Sequence, residues 1–170
     1  RYSQHKNTIE DEGYVAFLEN FINIAIMGYS REVKTILDFG CGPVPVLAEL
    51  LNRKGFVTDH YDKYFFPEYP EGKYYDMITA TEVMEHIAEP IPVFIKLWES
   101  LSDGGYLAVM TEFYPVNRKE LENWYYLRDK THISFLCEET IKYIASVTGY
   151  QVIKMYRRRI AVLKKISLKF

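Results

Sequence analysis

"ILDFGCGPVPVLAELL", residues 36–51, runs an apolar strand into a glycine turn and then into an apolar helix. Gly40 and Gly42 let the backbone turn sharply and approach a ligand closely, and the helix that follows offers unpaired N–H groups. Two features qualify this cradle. Val44, flanked by Pro43 and Pro45, stands where a third glycine is expected, and a carboxylate, Asp38, lies two residues before the first glycine. The dinucleotide fingerprint would need glycine at position 45, and no Lys-Ser/Thr pair follows to make a phosphate loop. An acid beside the turn repels a pyrophosphate and attracts a ligand bearing ammonium and sulfonium charges.

The rest of the chain extends this strand–turn–helix unit. "IEDEGYVAFLENFINIAIMGY", residues 9–29, places Tyr14, Phe17, Leu18, Phe21 and Ile22 at helical spacing with acids at its start. Residues 33–39 read as a buried strand, 45–52 as a helix ending near Lys54-Gly55, 56–62 as a second strand and 75–81 as a third. "KYFFPEYPEGK", residues 63–73, is an aromatic, proline-broken loop with no room for a crossover helix. A short helix is expected from Glu82, a longer one from about Pro92, and a strand over 106–111. Residues 112–136 are longer than connections in compact domains normally run, which marks them as a substrate lid. A helix over 138–146 and a hairpin of 150–156 with 160–168 complete the chain. Alternating strands and helices ending in a hairpin imply an α/β, Rossmann-like three-layer sandwich, parallel except for an antiparallel edge, with ligands at the carboxyl ends of the strands.

The 170 residues, 48% hydrophobic, suit one domain (1–170), with residues 1–30 as a helical cap. No stretch approaches the roughly 18 apolar residues of a membrane span, and the N-terminus lacks an apolar signal core, so a soluble cytoplasmic protein is expected. Cys41 and Cys137 are too few for a disulfide framework. A net charge of −2 gives no global argument for nucleic acid. The basic tail, with Lys154, Arg157, Arg158, Arg159, Lys164, Lys165 and Lys169, leaves a phosphate-bearing partner open beside the plainer reading of a charge-protected strand edge. Oligomeric state is written in none of these motifs.

"ILDFGCG", "YDMITATEVMEHI", "LSDGGYLAVMTE" and "THISFLCEETIKYIASVTGYQVI" together resemble a class I S-adenosylmethionine-dependent methyltransferase, in the branch that includes ubiquinone-biosynthesis O-methyltransferases. The resemblance covers roughly residues 9–168. It implies that Asp38, Gly40, Cys41 and Gly42 hold the methionine end of S-adenosyl-L-methionine. It further implies that Asp62, or as second choice Asp59, holds the ribose, and that Thr81, Glu82 and Val83 line the adenine and sulfonium side. Only about 13 residues separate the second strand from Tyr75, so the family's usual third strand and its helix must be abbreviated or absent.

"TATEVMEHI" places Glu82, Glu85 and His86 at i, i+3 and i+4, one face of a helix, and His132 in "DKTHISF" offers a fourth ligand. This oxygen–nitrogen set suits a divalent metal such as Mg, Mn, Fe or Zn. Small-RNA 2′-O-methyltransferases and ubiquinone-pathway enzymes carry a similar stretch, and the resemblance implies a metal on Glu82, Glu85, His86 and His132. The plainer alternative is a capped helix with local hydrogen bonds and a loop histidine. Without metal, His132 or Asp129 is the candidate base. The expected activity is O-methylation of a small-molecule acceptor. A non-catalytic cofactor- or partner-binding module and a nicotinamide oxidoreductase stand as alternatives. Trp124, Tyr125, Tyr126 and Arg128 belong to the expected lid, and Tyr2 and His5 are candidates to fold over the cofactor.

Overall fold

The computed structural model describes residues 7–166. Helix α1 (Glu12–Ala25) is capped by Asp11, whose side chain accepts the Tyr14 N–H. It is followed by β1 (Thr35–Phe39), α2 (Val46–Arg53), β2 (Val57–Tyr61) and β3 (Tyr75–Thr81). Then come α3 (Pro90–Glu99), β4 (Leu101–Met110), α4 (Arg118–Glu122), α5 (Glu138–Thr148), β5 (Tyr150–Tyr156) and β6 (Ile160–Lys165). The strands form one sheet in the order β2-β1-β3-β4-β6-β5.

Alternation along the strands splits the core into two layers. Ile36, Met77, Ala108 and Val162 face α1 and α2, meeting Leu18, Phe21, Ile22, Leu47 and Leu51. Leu37, Ile78, Ala80, Leu107 and Leu163 face α3 and α5, meeting Phe94, Leu97, Ile141 and Ile144. Both faces are covered, so β1 and β3 are nearly continuous apolar runs. Asp38 and Thr79 break those runs, and they are hydrogen-bonded to each other.

Two expectations shift and one is met. The antiparallel strand is not at the edge: β6 runs antiparallel between β4 and β5, and β5 is outermost. The family's usual third strand is absent, as the short connection requires: between β2 and β3 the chain makes a single bridge, Asp62 with Phe66, which leaves β2 as the sheet edge. The helix expected from Glu82 does not form there. Glu82 has φ 53, its N–H donates to the Met110 carbonyl at 2.7 Å, and only a 3-10 turn follows over Met84–His86. Sheet pairing to β4 thus holds Glu82 one residue beyond β3, and Glu82, Glu85 and His86 do not share a helical face. β1 sits between β2 and β3, so the strand ends of β1 and β3 flank the point where strand order reverses, the position where such sheets bind ligands.

Candidate active site

The glycine turn is held by its neighbours. Gly40 and Cys41 donate their N–H groups to the Tyr61 carbonyl at 2.7 and 3.1 Å, and Gly42 donates to Asp62 Oδ2 at 3.0 Å. Asp62 Oδ1 also accepts from the backbone of Tyr64 at 2.8 Å and Phe65 at 3.2 Å. The expected ribose ligand is therefore a brace between the turn and the loop after β2. Asp59, the second choice, lies inside β2 and bonds Tyr75 Oη at 2.5 Å and Lys73 Nζ at 2.9 Å.

Asp38 is fully buried, accepting from Thr79 Oγ1 at 3.2 Å and from the Ala48 backbone N–H in the first turn of α2. Pro45, the N-cap of α2, has no side-chain group to do this, so Asp38 reaches over from β1 to satisfy the helix start. Burial pushes its carboxyl up to about 7; the bonds from Thr79 and Ala48 oppose the shift and the charge of Asp62 adds to it. Val83 leans on Gly40, and Thr81 closes β3 opposite Met110.

Tyr14 of α1 joins this group, as sequence periodicity alone could not indicate, because a core-facing helical position and a cleft-facing one have the same spacing. Burial, then the Asp38 charge, with smaller contributions from Glu82 and Cys41, pushes its hydroxyl up to about 12, although a bond with Asn7 works the other way. Burial, then the charges of Asp38 and Asp62, also raise the Cys41 thiol. The end of β1 is thus a cluster of acids and acceptors with no lysine or arginine among the groups that shift it, a setting that favours a cation over a pyrophosphate.

A second cluster lies beyond β3. Glu85 is buried, and one oxygen accepts from Tyr126 Oη at 2.5 Å; the same hydroxyl lies 3.0 Å from Glu82 Oε2 and 3.1 Å from Thr111 Oγ1. One hydroxyl proton cannot serve both carboxylates. Glu82 Oε1 and Glu85 Oε2 are buried with no hydrogen-bond partner among the described residues. Burial first, then the Glu85 charge, pushes the Glu82 carboxyl up to about 8. His86 Nδ1 lies 3.0 Å from the Thr131 carbonyl, and His132 Nδ1 lies 2.8 Å from the Tyr126 carbonyl. A carbonyl only accepts, so each Nδ1 carries the proton and each Nε2 is the basic nitrogen. One ligand-type atom from each of Glu85, His86 and His132 fits within a 4.8 Å group. Glu82 is not in that group; it joins through the shared Tyr126 hydroxyl. Asp129, the other expected base, holds the N–H and hydroxyl of Thr131 through Oδ1 at 2.9 and 2.7 Å.

The segment over this cluster is clasped by Glu112, which accepts from Trp124 Nε1 at 3.0 Å, from Tyr125 Oη and from Arg159. Against the effect of burial, these bonds and the Arg159 charge hold the Glu112 carboxyl below the usual carboxylate range. Trp124 and Tyr126 are buried and stack at 5.0 Å, whereas Tyr125 and Leu127 are exposed. Tyr2 and His5 lie outside the described residues. Among the described residues no helix is long and apolar enough to cross a membrane.

Comparison with known proteins agrees with this architecture. A family model described as a methyltransferase domain matches residues 14–155. A sequence search of curated proteins returns no match. Among solved structures, a SAM-dependent methyltransferase from Archaeoglobus fulgidus superposes with a TM-score of 0.62 at 20% identity, covering 88% of this chain and 92% of that one. Magnesium protoporphyrin IX methyltransferase from Synechocystis PCC 6803 with bound SAM gives 0.61 at 15% identity, covering 89% and 81%. An O-methyltransferase family protein from Burkholderia thailandensis gives 0.65 at 12% identity, covering 91% of this chain and 56% of that one, so this chain spans little more than half of that relative. With the family match running from the α1 tyrosine to the end of β5, the chain belongs to the methyltransferase domain family, in its S-adenosylmethionine-dependent α/β class.

Proposed function

We propose that this domain transfers the methyl group of S-adenosylmethionine to a hydroxyl of a small-molecule acceptor, with a divalent metal at the acceptor side. The reading rests on one observation above the rest: two buried carboxylate oxygens without partners, on Glu82 and Glu85, beside two imidazoles whose Nδ1 atoms are tied to carbonyls. Backbone tethering of the far ring nitrogen is how metal-binding histidines are oriented, and a cation would satisfy the two open carboxylate oxygens in place of a proton shared between Glu82 and Glu85. The residues therefore fit a metal. Glu85, His86 and His132 would hold it with Glu82 at the margin, and when bound it would lower the pKa of an acceptor hydroxyl and orient it.

The cofactor belongs at the acid cluster, with Asp38, Gly40, Cys41, Gly42 and Asp62 under its methionine and ribose and Thr81, Glu82 and Val83 along its sulfonium side. Tyr14 would close this site from α1. In the reaction the acceptor oxygen attacks the methyl carbon, the C–S pair returns to sulfur, and the hydroxyl proton leaves. Most of the acceleration comes from holding the oxygen in line at about 3 to 3.5 Å. Without metal, His132 would take the proton through Nε2, since its Nδ1–H is already committed to Tyr126 O; where a metal occupies that Nε2, Asp129 is the base that remains. Residues 112–136 act as the lid, which excludes water from the transfer.

Titration with S-adenosylhomocysteine and with NADH tests the cofactor half. Tight binding of the first and none of the second is expected, and the reverse overturns the reading. Elemental analysis of protein purified without chelator tests the metal half: near one metal per chain, lost in Glu85→Ala and His86→Ala. Metal-free protein that takes up none from added Mn or Zn overturns it.

A further inference from the structure

We propose that the cavity at the β5–β6 turn binds a phosphate monoester carried by the acceptor, with Arg157 and Arg158 as its ligands. This deepens the methyl-transfer reading and rests on it, because it supplies a second handle on the same substrate.

The turn is an unusual place for these side chains. Arg157 and Arg158 both have positive φ, 46 and 51, as the central pair of the turn over 156–159 in a three-residue hairpin connection, where Asn-Gly is the relaxed choice. The strain is fixed by the sheet: Arg159 N–H donates to Tyr156 O at 3.1 Å, and Thr111 and Phe113 N–H groups donate to the Arg159 and Arg158 carbonyls at 3.0 and 2.8 Å. These bonds set the turn beside the exit of β4, next to the candidate active site. Strained side chains held by surrounding structure point to use rather than accident.

A cavity of about 340 Å³ opens there, lined by Arg157, Arg158, Arg159, Phe113, Trp124 and Glu120, with Glu112 at its wall. Its charges are not balanced. Arg159 is consumed by Glu112 and Tyr125. Arg158 reaches Glu120 at only 3.5 Å, with both side chains more than half exposed, and touches the Phe113 carbonyl at 3.4 Å. Arg157 has no carboxylate partner among the described residues and lies 5.3 Å from its neighbour's ring, Tyr156. Two guanidinium groups and one loosely held carboxylate leave room for an anion. A planar carboxylate is satisfied by one guanidinium fork, whereas a tetrahedral dianion takes donors from two directions, which favours phosphate.

The cavity also lies beside the reacting end. Trp124 forms part of its wall and stacks at 5.0 Å on Tyr126, whose hydroxyl touches Glu85. A phosphate in the cavity would thus lie two packed rings, Trp124 and Tyr126, from the carboxylate pair, and an acceptor that reaches both would pass around these rings.

Inorganic phosphate, methyl phosphate and dimethyl phosphate are titrated into the protein with and without S-adenosylhomocysteine, read by phosphorus NMR and tryptophan fluorescence. Saturable binding of the first two is expected, at least tenfold tighter than the diester. Arg157→Asn/Arg158→Gly, which relaxes the turn, should raise Tm while weakening phosphate at least tenfold. Glu120→Gln should tighten it, and Arg53→Gln/Lys142→Gln, which removes two distant charges, should leave it unchanged. No saturable phosphate binding, or equal binding by Arg157→Asn/Arg158→Gly, overturns the site; equal affinity for the diester overturns the monoester assignment. S-adenosylhomocysteine affinity is read separately, so normal cofactor binding without phosphate binding sinks this inference alone.

Discussion

Val83, two residues past β3, packs so closely on Gly40 that a β-carbon built on Gly40 would lie 2.3 Å from Val83 Cγ2. Gly40 also has φ +79, which only glycine adopts without cost. The turn and the end of β3 are therefore one packed unit, and the two strand ends that flank the proposed cofactor site cannot shift independently.

Gly40→Ala should lose roughly 2–5 kcal/mol of stability, from about 1–2 for the left-handed backbone and 1–3 for the overlap. Urea denaturation of Gly40→Ala, Val83→Ala and the double variant separates the two. A favourable coupling of about 1 kcal/mol between the sites is expected, and additive losses would show that the overlap is absorbed elsewhere.

Val44, which stands in the third glycine position, is 40% exposed, and its carbonyl accepts the Val46 N–H at 2.8 Å. Preceding a proline, it is biased to the extended backbone a β-branched residue accepts. Val44→Gly should cost roughly 0.5–1 kcal/mol by loosening the unfolded chain. Calorimetric titration with S-adenosylhomocysteine should change by less than about threefold, well under the 1.4 kcal/mol of a tenfold effect. A tenfold gain in affinity would mean that the valine side chain obstructs the cofactor.

Where the sequence was legible, one short-range rule decided the element. β3 matches its expected bounds over Tyr75–Thr81, because it is an apolar run between a glycine-containing loop and a charged one. α5 runs to Thr148, two residues further than its periodicity suggested, and stops where Gly149 takes φ 80. The site was harder to read because long-range contacts set it. The spacing Glu82, Glu85, His86 suggested a helical face, but Met110 captures the Glu82 N–H and leaves Glu82 in a left-handed conformation. Glu85, His86 and His132 nevertheless meet, through a fold-back in which the Ile133 and Ser134 N–H groups donate to the Glu85 carbonyl at 2.8 and 3.0 Å and His86 Nδ1 donates to the Thr131 carbonyl. Asp38 was legible as an acid beside the turn. Its partners were not, since Thr79 is 41 residues away and Ala48 donates through its backbone.

The buried Asp38 carboxyl has a pH consequence. Its pKa is raised from the ordinary 3.8 to about 7, so the folded protein holds a proton that the unfolded chain releases. Its contribution to stability is full below pH 3.8 and falls as pH rises towards 7, by at most about 1.4 kcal/mol per pH unit. Asp38→Asn keeps an acceptor for Thr79 and Ala48 while removing the titration. Denaturation of the cofactor-free protein between pH 4 and pH 8 should show a shallower decline in Asp38→Asn than in the parent. Parallel curves would mean that Asp38 is ionised throughout.

Tyr126 offers a test of the carboxylate pair that spares the packing. Its ring lies 5.0 Å from Trp124 and 4.0 Å from His132, contacts that Tyr126→Phe retains. The hydroxyl that donates to Glu85 is lost, and Glu85, buried with Oε2 already lacking a partner, is left without that donor. In metal-free protein the substitution should cost about 1–3 kcal/mol, the range for leaving a buried polar group unsatisfied. A cation held by Glu85, His86 and His132 would neutralise the same oxygens, so saturating MnCl2 should reduce the loss by at least half while raising the Tm of both proteins. Thermal unfolding of the two proteins with and without MnCl2 gives the comparison. An equal loss in both conditions would mean that the carboxylates answer to the tyrosine alone, and the metal would have to be withdrawn from the site.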